Sequence, residues 1–395
     1  MAAESSRGIK RRDFLASGLV ALGAAALGPG IWRHALASQA EPGRSPYGPL
    51  QEPDANGLML PQGFTSRVIA MAGVPLVGTS YVWHTFPDGG VTYPTKDGGW
   101  IYVSNSEVPG GLGGAGAVRF ARDGSIVDAY PILTGTSSNC AGGPTPWGTW
   151  LSCEEFDGGR VWECDPFGKR EPIVHDAMGV FSHESAAVDP VRKHVYLTED
   201  KPDGLFYRFT PTRYPDLSEG RLDVAVIQPG GRTLWRRVPD PSATGRPTRQ
   251  QVGGSKRFNG GEGTWYDDGL VYFTTKNDDR VWTYNTQTRR TEILYDAGRL
   301  ANPPLTGVDN VMVAKSSGDL FVAEDGGDLD IVMITQDRVV ARFLKVTGLQ
   351  HTGSELAGPA LDPSGTRLYF SSQRGFSRGV TFEVTGPFRK SGRRR

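Results

Sequence analysis

The stretch NCAGGPTPWGTWLSCEE, residues 139–155, sets two cysteines and two adjacent glutamates within seventeen residues. Without a CxxC it is not a thioredoxin-type redox site. Four further acidic segments follow: His183-Glu184, Gly261-Glu262, Asp309-Asn310 and Ser354-Glu355. Cys140, Glu184, Glu262, Asp309 and Glu355 precede a short aromatic strand by 10, 12, 10, 12 and 14 residues. That near-constant offset would bring a thiol and several carboxylates to one place. Carboxylates held close together cannot all stay ionised without a compensating cation. Glu107, Glu154, Glu155, Glu184 and Glu262, if convergent, therefore point to a polyvalent metal. Oxygen ligands in this number suit calcium, and a thiolate suits iron or zinc. Taken singly, each glutamate is equally a solvated strand end and Cys140 a buried free thiol; only the shared spacing argues otherwise. His84 and His183 read as core or supporting histidines. No HExxH, GxSxG or P-loop pattern is present, which removes the zincin, serine-hydrolase and nucleotide-binding classes.

These residues are positioned by a repeat. Aromatic-led strands begin at Tyr102, Trp150, Tyr196, Tyr272, Phe321 and Tyr369, at intervals of 48, 46, 76, 49 and 48 residues. Each ends in polar residues, as in Tyr102-Val103-Ser104-Asn105-Ser106-Glu107, and each is followed by a turn and another strand. A unit of this size, with several turn-separated strands, fits a four-stranded propeller blade. The expected fold is all-β, a six-bladed β-propeller of four-stranded blades over residues 58–388, with the long interval explained by an insertion at about 211–256. The abundance of Gly (53) and Pro (28), without a short period, agrees with many turns. The innermost strand of each blade lines a central channel, so polar residues at equivalent positions meet on one axis.

Cys153 and Cys164 flank Asp157-Gly158-Gly159 symmetrically, and a hairpin centred there would set them opposite each other as a possible disulfide. With three cysteines, at least one stays unpaired within the chain. The net charge of zero, with no basic folded stretch, gives no case for nucleic acid. At the N-terminus, Arg11-Arg12 precedes a mild apolar run, Ala16–Leu27, and Ala35-Leu36-Ala37 offers a cleavage site. Residues 1–37 thus read as a twin-arginine signal peptide engaging the twin-arginine export machinery. The run is too short to span a bilayer, which needs roughly 20 residues, so no stable membrane insertion is expected after cleavage. A linker at 38–57 and a basic tail at 389–395 complete the domain plan; the protein would be periplasmic or extracellular.

The Cys140–Glu155 motif resembles the signature of the PhoX alkaline phosphatase family. Ser104-Asn105-Ser106-Glu107, Ser182-His183-Glu184, Phe258 to Glu262, Asp309-Asn310, and Glu355 with Leu361-Asp362-Pro363-Ser364-Gly365 are similar to further family segments, in the same order. The resemblance implies a twin-arginine-exported propeller with ferric iron (Fe3+) and calcium at its centre, hydrolysing small phosphate-ester substrates. By resemblance Cys140 would ligate iron. Glu107, Glu184 and Glu262 would hold iron or calcium, and Glu154 or Glu155 and Asp309 calcium, with Glu184 and Glu262 also serving catalysis. Metals so placed would orient and neutralise the phosphoryl oxygens. The chain departs from the family at Gly260, where the phosphatase branch carries an arginine, and at Gln373-Arg374-Gly375, where the family has Gln-His-Pro-Gly. Arg257 or Lys256 would be the nearest substitutes for the missing guanidinium. Two other functions fit the same residues: a calcium-dependent lactonase or esterase, which needs no thiolate, and a non-catalytic metal-binding propeller.

Overall fold

The aromatic residues that lead the repeat become the cement between blades. Tyr102 and Tyr369 stack at 4.9 Å between ring centroids, and Tyr196 meets Tyr284 at 5.5 Å across the next-but-two seam. Such large, rigid side chains bury apolar area at low entropic cost, which is why strands so short hold together. The computed structural model describes residues 39–390 and is all-β, with six sheets and, among the described residues, no α-helix. None of the described helical turns is long and apolar enough to cross a membrane. The proposed signal, 1–37, and most of the basic tail lie outside the described residues.

The six sheets are the blades, and their innermost strands are Pro87–Pro94, Asn139–Pro144, His183–Asp189, Gly261–Asp267, Val308–Val313 and Leu356–Leu361. Each touches the innermost strand on either side, closing a ring. The second strands, Trp100–Ser106, Trp150–Glu154, His194–Glu199, Leu270–Thr275, Leu320–Glu324 and Arg367–Ser372, are those led by the repeated aromatics or by the residue or two before them. Blade six takes its outermost strand, Thr65–Met71, from the start of the described chain, paired antiparallel with Val380–Thr385. This joins an early and a late strand of the described residues in one sheet.

Three local expectations change. The stretch 211–256 is only partly an insertion: Asp216–Ile227 is the fourth strand of blade three, and Thr233–Arg237 adds a fifth. The stretch 38–57, expected as a linker, contains Glu41–Pro42, which pairs in parallel with Val339–Val340 at the edge of blade five. Cys153 pairs with Val161 and Cys164 with Trp150, so the two thiols stand on different rungs of the hairpin. All three cysteines are free and buried.

The inner ring is tight. A Cβ on Gly143 would lie 1.7 Å from the Ala186 carbonyl oxygen, and one on Gly263 2.7 Å from the Asn310 Cα. Both obstacles are backbone of the adjacent blade, so no side-chain rotation relieves them. Gly143→Ala should therefore destabilise the protein by at least about 1–3 kcal/mol in denaturant unfolding. Gly245→Ala, where the added methyl meets nothing within 4 Å, should stay within about 0.5 kcal/mol of wild type.

Candidate metal centre

All six innermost strands break register at the same place. The shifts fall between Pro87 and Gly90, Asn139 and Gly142, His183 and Ala186, Gly261 and Thr264, Val308 and Val311, and Ala357 and Ala360. Each leaves two residues outside the regular ladder, and a bulge of this kind re-aims a side chain while bending its strand. In five blades the first of the two is Asp88, Cys140, Glu184, Glu262 or Asp309. In blade six the pair is Gly358-Pro359, and the carboxylate comes instead from Glu355, just before the strand. The second residues are small: Gly89, Ala141, Ser185, Gly263 and Asn310 line a waist with a cavity of about 20 Å³. Beyond the waist the channel widens into a funnel of about 860 Å³, lined by Trp265, Tyr93 and Tyr266 among others.

Bulging frees backbone carbonyls, and the polar ends of the second strands satisfy them. Asn105 Nδ2 donates to the carbonyls of Cys140 (3.1 Å) and Ala141 (2.7 Å). Thr198 Oγ1 donates to Glu262 O at 2.5 Å and Thr274 Oγ1 to Asp309 O at 2.6 Å. In each case a side chain of one blade holds the bulge of the next.

A second tier lies at the ends of the second strands. The residue directly after each is Glu107, Glu155, Asp200, Lys276, Asp325 or Gln373. The residue before it has a different task in three blades. Glu154 accepts from the Arg160 amide, Glu199 from Leu205 and Glu324 from Asp330, each six residues on, at 3.2, 3.2 and 3.0 Å. Glu154 also accepts from Ser137 N at 3.0 Å. These carboxylates fasten the loop that follows their strand. The paired glutamates of the opening motif thus divide: Glu155 joins the tier, and Glu154 is not brought to it.

Three groups of candidate ligands result, each with its donor atoms within 4.8 Å of one another: Glu107, Cys140 and Glu155; Asp88, Glu107 and Glu355; Glu184, Glu262 and Asp309. Six of the seven residues expected to bind metal are thus brought together. Asp88, Asp200 and Asp325 were missed, and Glu355 was read as a channel segment but not as a metal ligand. Asp88 was legible, since it precedes Tyr102 by 14 residues, the same offset as Glu355 from Tyr369.

Two cations border the groups. Lys276 Nζ lies 3.0 Å from Glu262 Oε1 and 3.1 Å from Asp325 Oδ2. Arg374 reaches Glu355 at 3.0 Å and Glu107 at 3.6 Å. Neither nearby substitute for the guanidinium does this: Arg257 donates to the carbonyls of Asp203 and Arg249, and Lys256 lies over the rings of Phe258 and Trp282. Gly260 itself has φ +71, and a Cβ there would sit 2.7 Å from Asn277 Nδ2. An arginine here would take strained left-handed backbone and push the Asn277 side chain aside.

Burial, reinforced by Glu107, pushes Asp88 up to about 7. Burial pushes Glu262 to about 8 although Lys276 opposes it. Glu184, Asp309, Glu155 and Glu355 are raised well above the carboxylate range by burial and by neighbouring carboxylates, Glu262 foremost for the first three and Asp88 for Glu355. The Cys140 thiol is raised by burial and by Asp88. Burial lowers His84 and His183 to about 3. His183 Nε2–H donates to the Gly179 carbonyl at 3.0 Å and its ring stacks on Phe181, as a core histidine does. Glu184 Oε2 is buried with no hydrogen-bond partner. An orphaned carboxylate oxygen among carboxylates and a thiol is a donor set that fits a cation.

No curated protein matches the chain. Among solved structures it is similar to Pseudomonas fluorescens PhoX in complex with vanadate, a transition state analogue, with 16% identity, a TM-score of 0.70, and coverage of 88% of this chain and 97% of that one. It is also similar to a Bacteroides thetaiotaomicron protein of unknown function, with 10% identity, a TM-score of 0.53, and coverage of 81% and 76%. At these identities the likeness is one of fold. The family model described as alkaline phosphatase PhoX matches residues 103–160 and 157–302, a span that takes in the Cys140–Glu155 motif, Glu107, Glu184 and Glu262. The chain belongs to the PhoX alkaline phosphatase family and is, as a member, a phosphoric monoester hydrolase.

Proposed function

We propose that the two-tiered mouth of the channel is a calcium and iron centre that hydrolyses phosphate monoesters. The observation that carries this reading is the convergence of carboxylates from all six blades and one thiol, four of the acids and the thiol set in bulges, on a mouth bordered by two cations. Glu107, Cys140 and Glu155 would hold iron, the one group that includes a soft sulfur ligand. Asp88, Glu107 and Glu355, and Glu184, Glu262 and Asp309, offer oxygen only and would hold calcium. Bound there, the metals would supply Lewis-acid charge to the phosphoryl oxygens.

Arg374 fills the remaining need. Its side chain is 42% exposed, its backbone N–H is held by Ser354 Oγ at 3.0 Å, and its guanidinium lies over the Phe86 ring. Anchored in this way it presents a planar fork at the edge of the centre, the geometry that orients a phosphate bidentately. Gln373 Nε2 donates to Asp88 and Glu107 and fixes the two carboxylates beneath it. Glu184 and Glu262, buried in the lower tier, would serve catalysis by holding the metal side of the site. The lactonase alternative leaves Cys140 without a role, and family membership speaks against it. Export by the twin-arginine route to the periplasm or beyond is part of the same proposal, resting on Arg11-Arg12 and the apolar run after it.

Elemental analysis of the exported protein, with p-nitrophenyl phosphate turnover before and after chelation, tests the reading. Iron and calcium with chelator-sensitive turnover are expected; a metal-free active enzyme would refute it. Cys140→Ser should abolish iron binding while circular dichroism stays native, and unchanged iron content would remove Cys140 from the ligand set. Arg374→Ala should raise KM for the phosphate ester by about tenfold or more, the loss of a charge-assisted contact, with metal content intact and partial recovery in Arg374→Lys.

The chelated protein should also respond to pH in a defined direction. Asp88 and Glu262 hold protons in the folded state up to about 7 and about 8, whereas unfolded they release them near 3.8 and 4.5. The folded state then binds more protons than the unfolded one, so stability falls as pH rises across that window. The Tm of chelated protein should drop between pH 5 and pH 8, where the approximate bounds follow from those shifts, and added calcium should abolish the drop. A Tm that rises with pH after chelation would contradict the assigned electrostatics.

A further inference from the structure

The upper tier breaks its own pattern once. Glu107, Glu155, Asp200 and Asp325 are carboxylates and Gln373 an amide, but blade four contributes Lys276. Its ammonium meets carboxylates from three blades: Glu262 at 3.0 Å, Asp325 at 3.1 Å and Asp200 at 3.8 Å. The three oxygens thus all lie within 4.0 Å of one cationic nitrogen. On the other side of the mouth, two candidate groups also combine the tiers, Glu107 with Cys140 and Glu155, and Asp88 with Glu107 and Glu355. The charges that act most on Glu155 are carboxylates, Glu262, Asp200 and Glu107.

We infer that Lys276 is a tethered cation that fills a further two-tier site, formed by Asp200, Glu262 and Asp325, in place of a divalent ion. An ammonium has three N–H donors and finds three carboxylate partners here. Held among three carboxylates and less exposed than Arg374, it acts as a structural counter-ion. Without it, three hard oxygen donors would face one another with no cation, which is the condition that recruits calcium.

The inference rests on the proposed metal reading of the mouth, and the test keeps the two apart by measuring a difference. Calcium per chain is determined by elemental analysis after equilibration and desalting, in wild type, Lys276→Met, Lys276→Asp and Lys276→Arg. Lys276→Met removes the charge at similar volume; Lys276→Asp installs the residue type of Asp200 and Asp325. Both should hold one calcium ion per chain more than wild type and gain more Tm from calcium, while Lys276→Arg keeps the wild-type count. An unchanged or lower count in both Lys276→Met and Lys276→Asp overturns the inference, whatever wild type binds. Wild type without any metal would instead overturn the proposed centre, and a one-ion difference would still support the role of Lys276.

Discussion

Mutual repulsion among buried carboxylates is the constraint that organises this molecule. Asp88, Glu184, Glu262 and Asp309 are each at most 4% exposed, and Glu107, Glu155 and Glu355 stand within reach of them. Like charges a few ångströms apart, away from water, cost several kcal/mol per pair at intermediate dielectric. A flexible scaffold would relieve that cost by splaying. This one resists because the bulges of Glu262 and Asp309 have their carbonyls held by the neighbouring blade, and because Gly143 and Gly263 leave no room for a larger residue where the inner strands meet. Rigidity turns repulsion into affinity for cations.

The same constraint sorts glutamates that look alike in the chain. Glu154 and Glu155 are adjacent, yet one fastens a loop through two backbone amides and the other joins a group with Glu107 and Cys140. Alternation along a strand end places neighbours on opposite sides. Glu199 with Asp200 and Glu324 with Asp325 repeat the division. The fold therefore uses one dipeptide pattern three times, with the first acid structural and the second facing the mouth.

Much of this was legible before any coordinates. The intervals between aromatics gave six blades because the inter-blade seam needs a large ring at the same place in every unit, and the offset of Cys140, Glu184, Glu262 and Asp309 from those aromatics located the inner tier. What was not legible depends on geometry that has no local signal. The pairing of Cys153 with Val161 is set by how the hairpin turns, and counting residues about Asp157-Gly158-Gly159 missed it by enough to separate the thiols. Lys276 and Arg374 carry the sign opposite to their repeat neighbours, so a search for convergent acids passes over them. The obstruction at Gly260 is a contact with Asn277, seventeen residues away along the chain.

Blade six is stitched from both ends of the described chain, with Thr65–Met71 alongside Val380–Thr385. Glu355 and Arg374 belong to that blade, while Asp88 and Glu107 lie on the first one. During synthesis, the early acids therefore wait for nearly the whole polypeptide before their late partners exist. A nascent chain stopped after blade five would hold an open arc that lacks Glu355 and Arg374 and leaves an edge strand unpaired. Assembly of the proposed centre is thereby tied to completion of the ring, and metal bound there would report that the last blade has been made and locked.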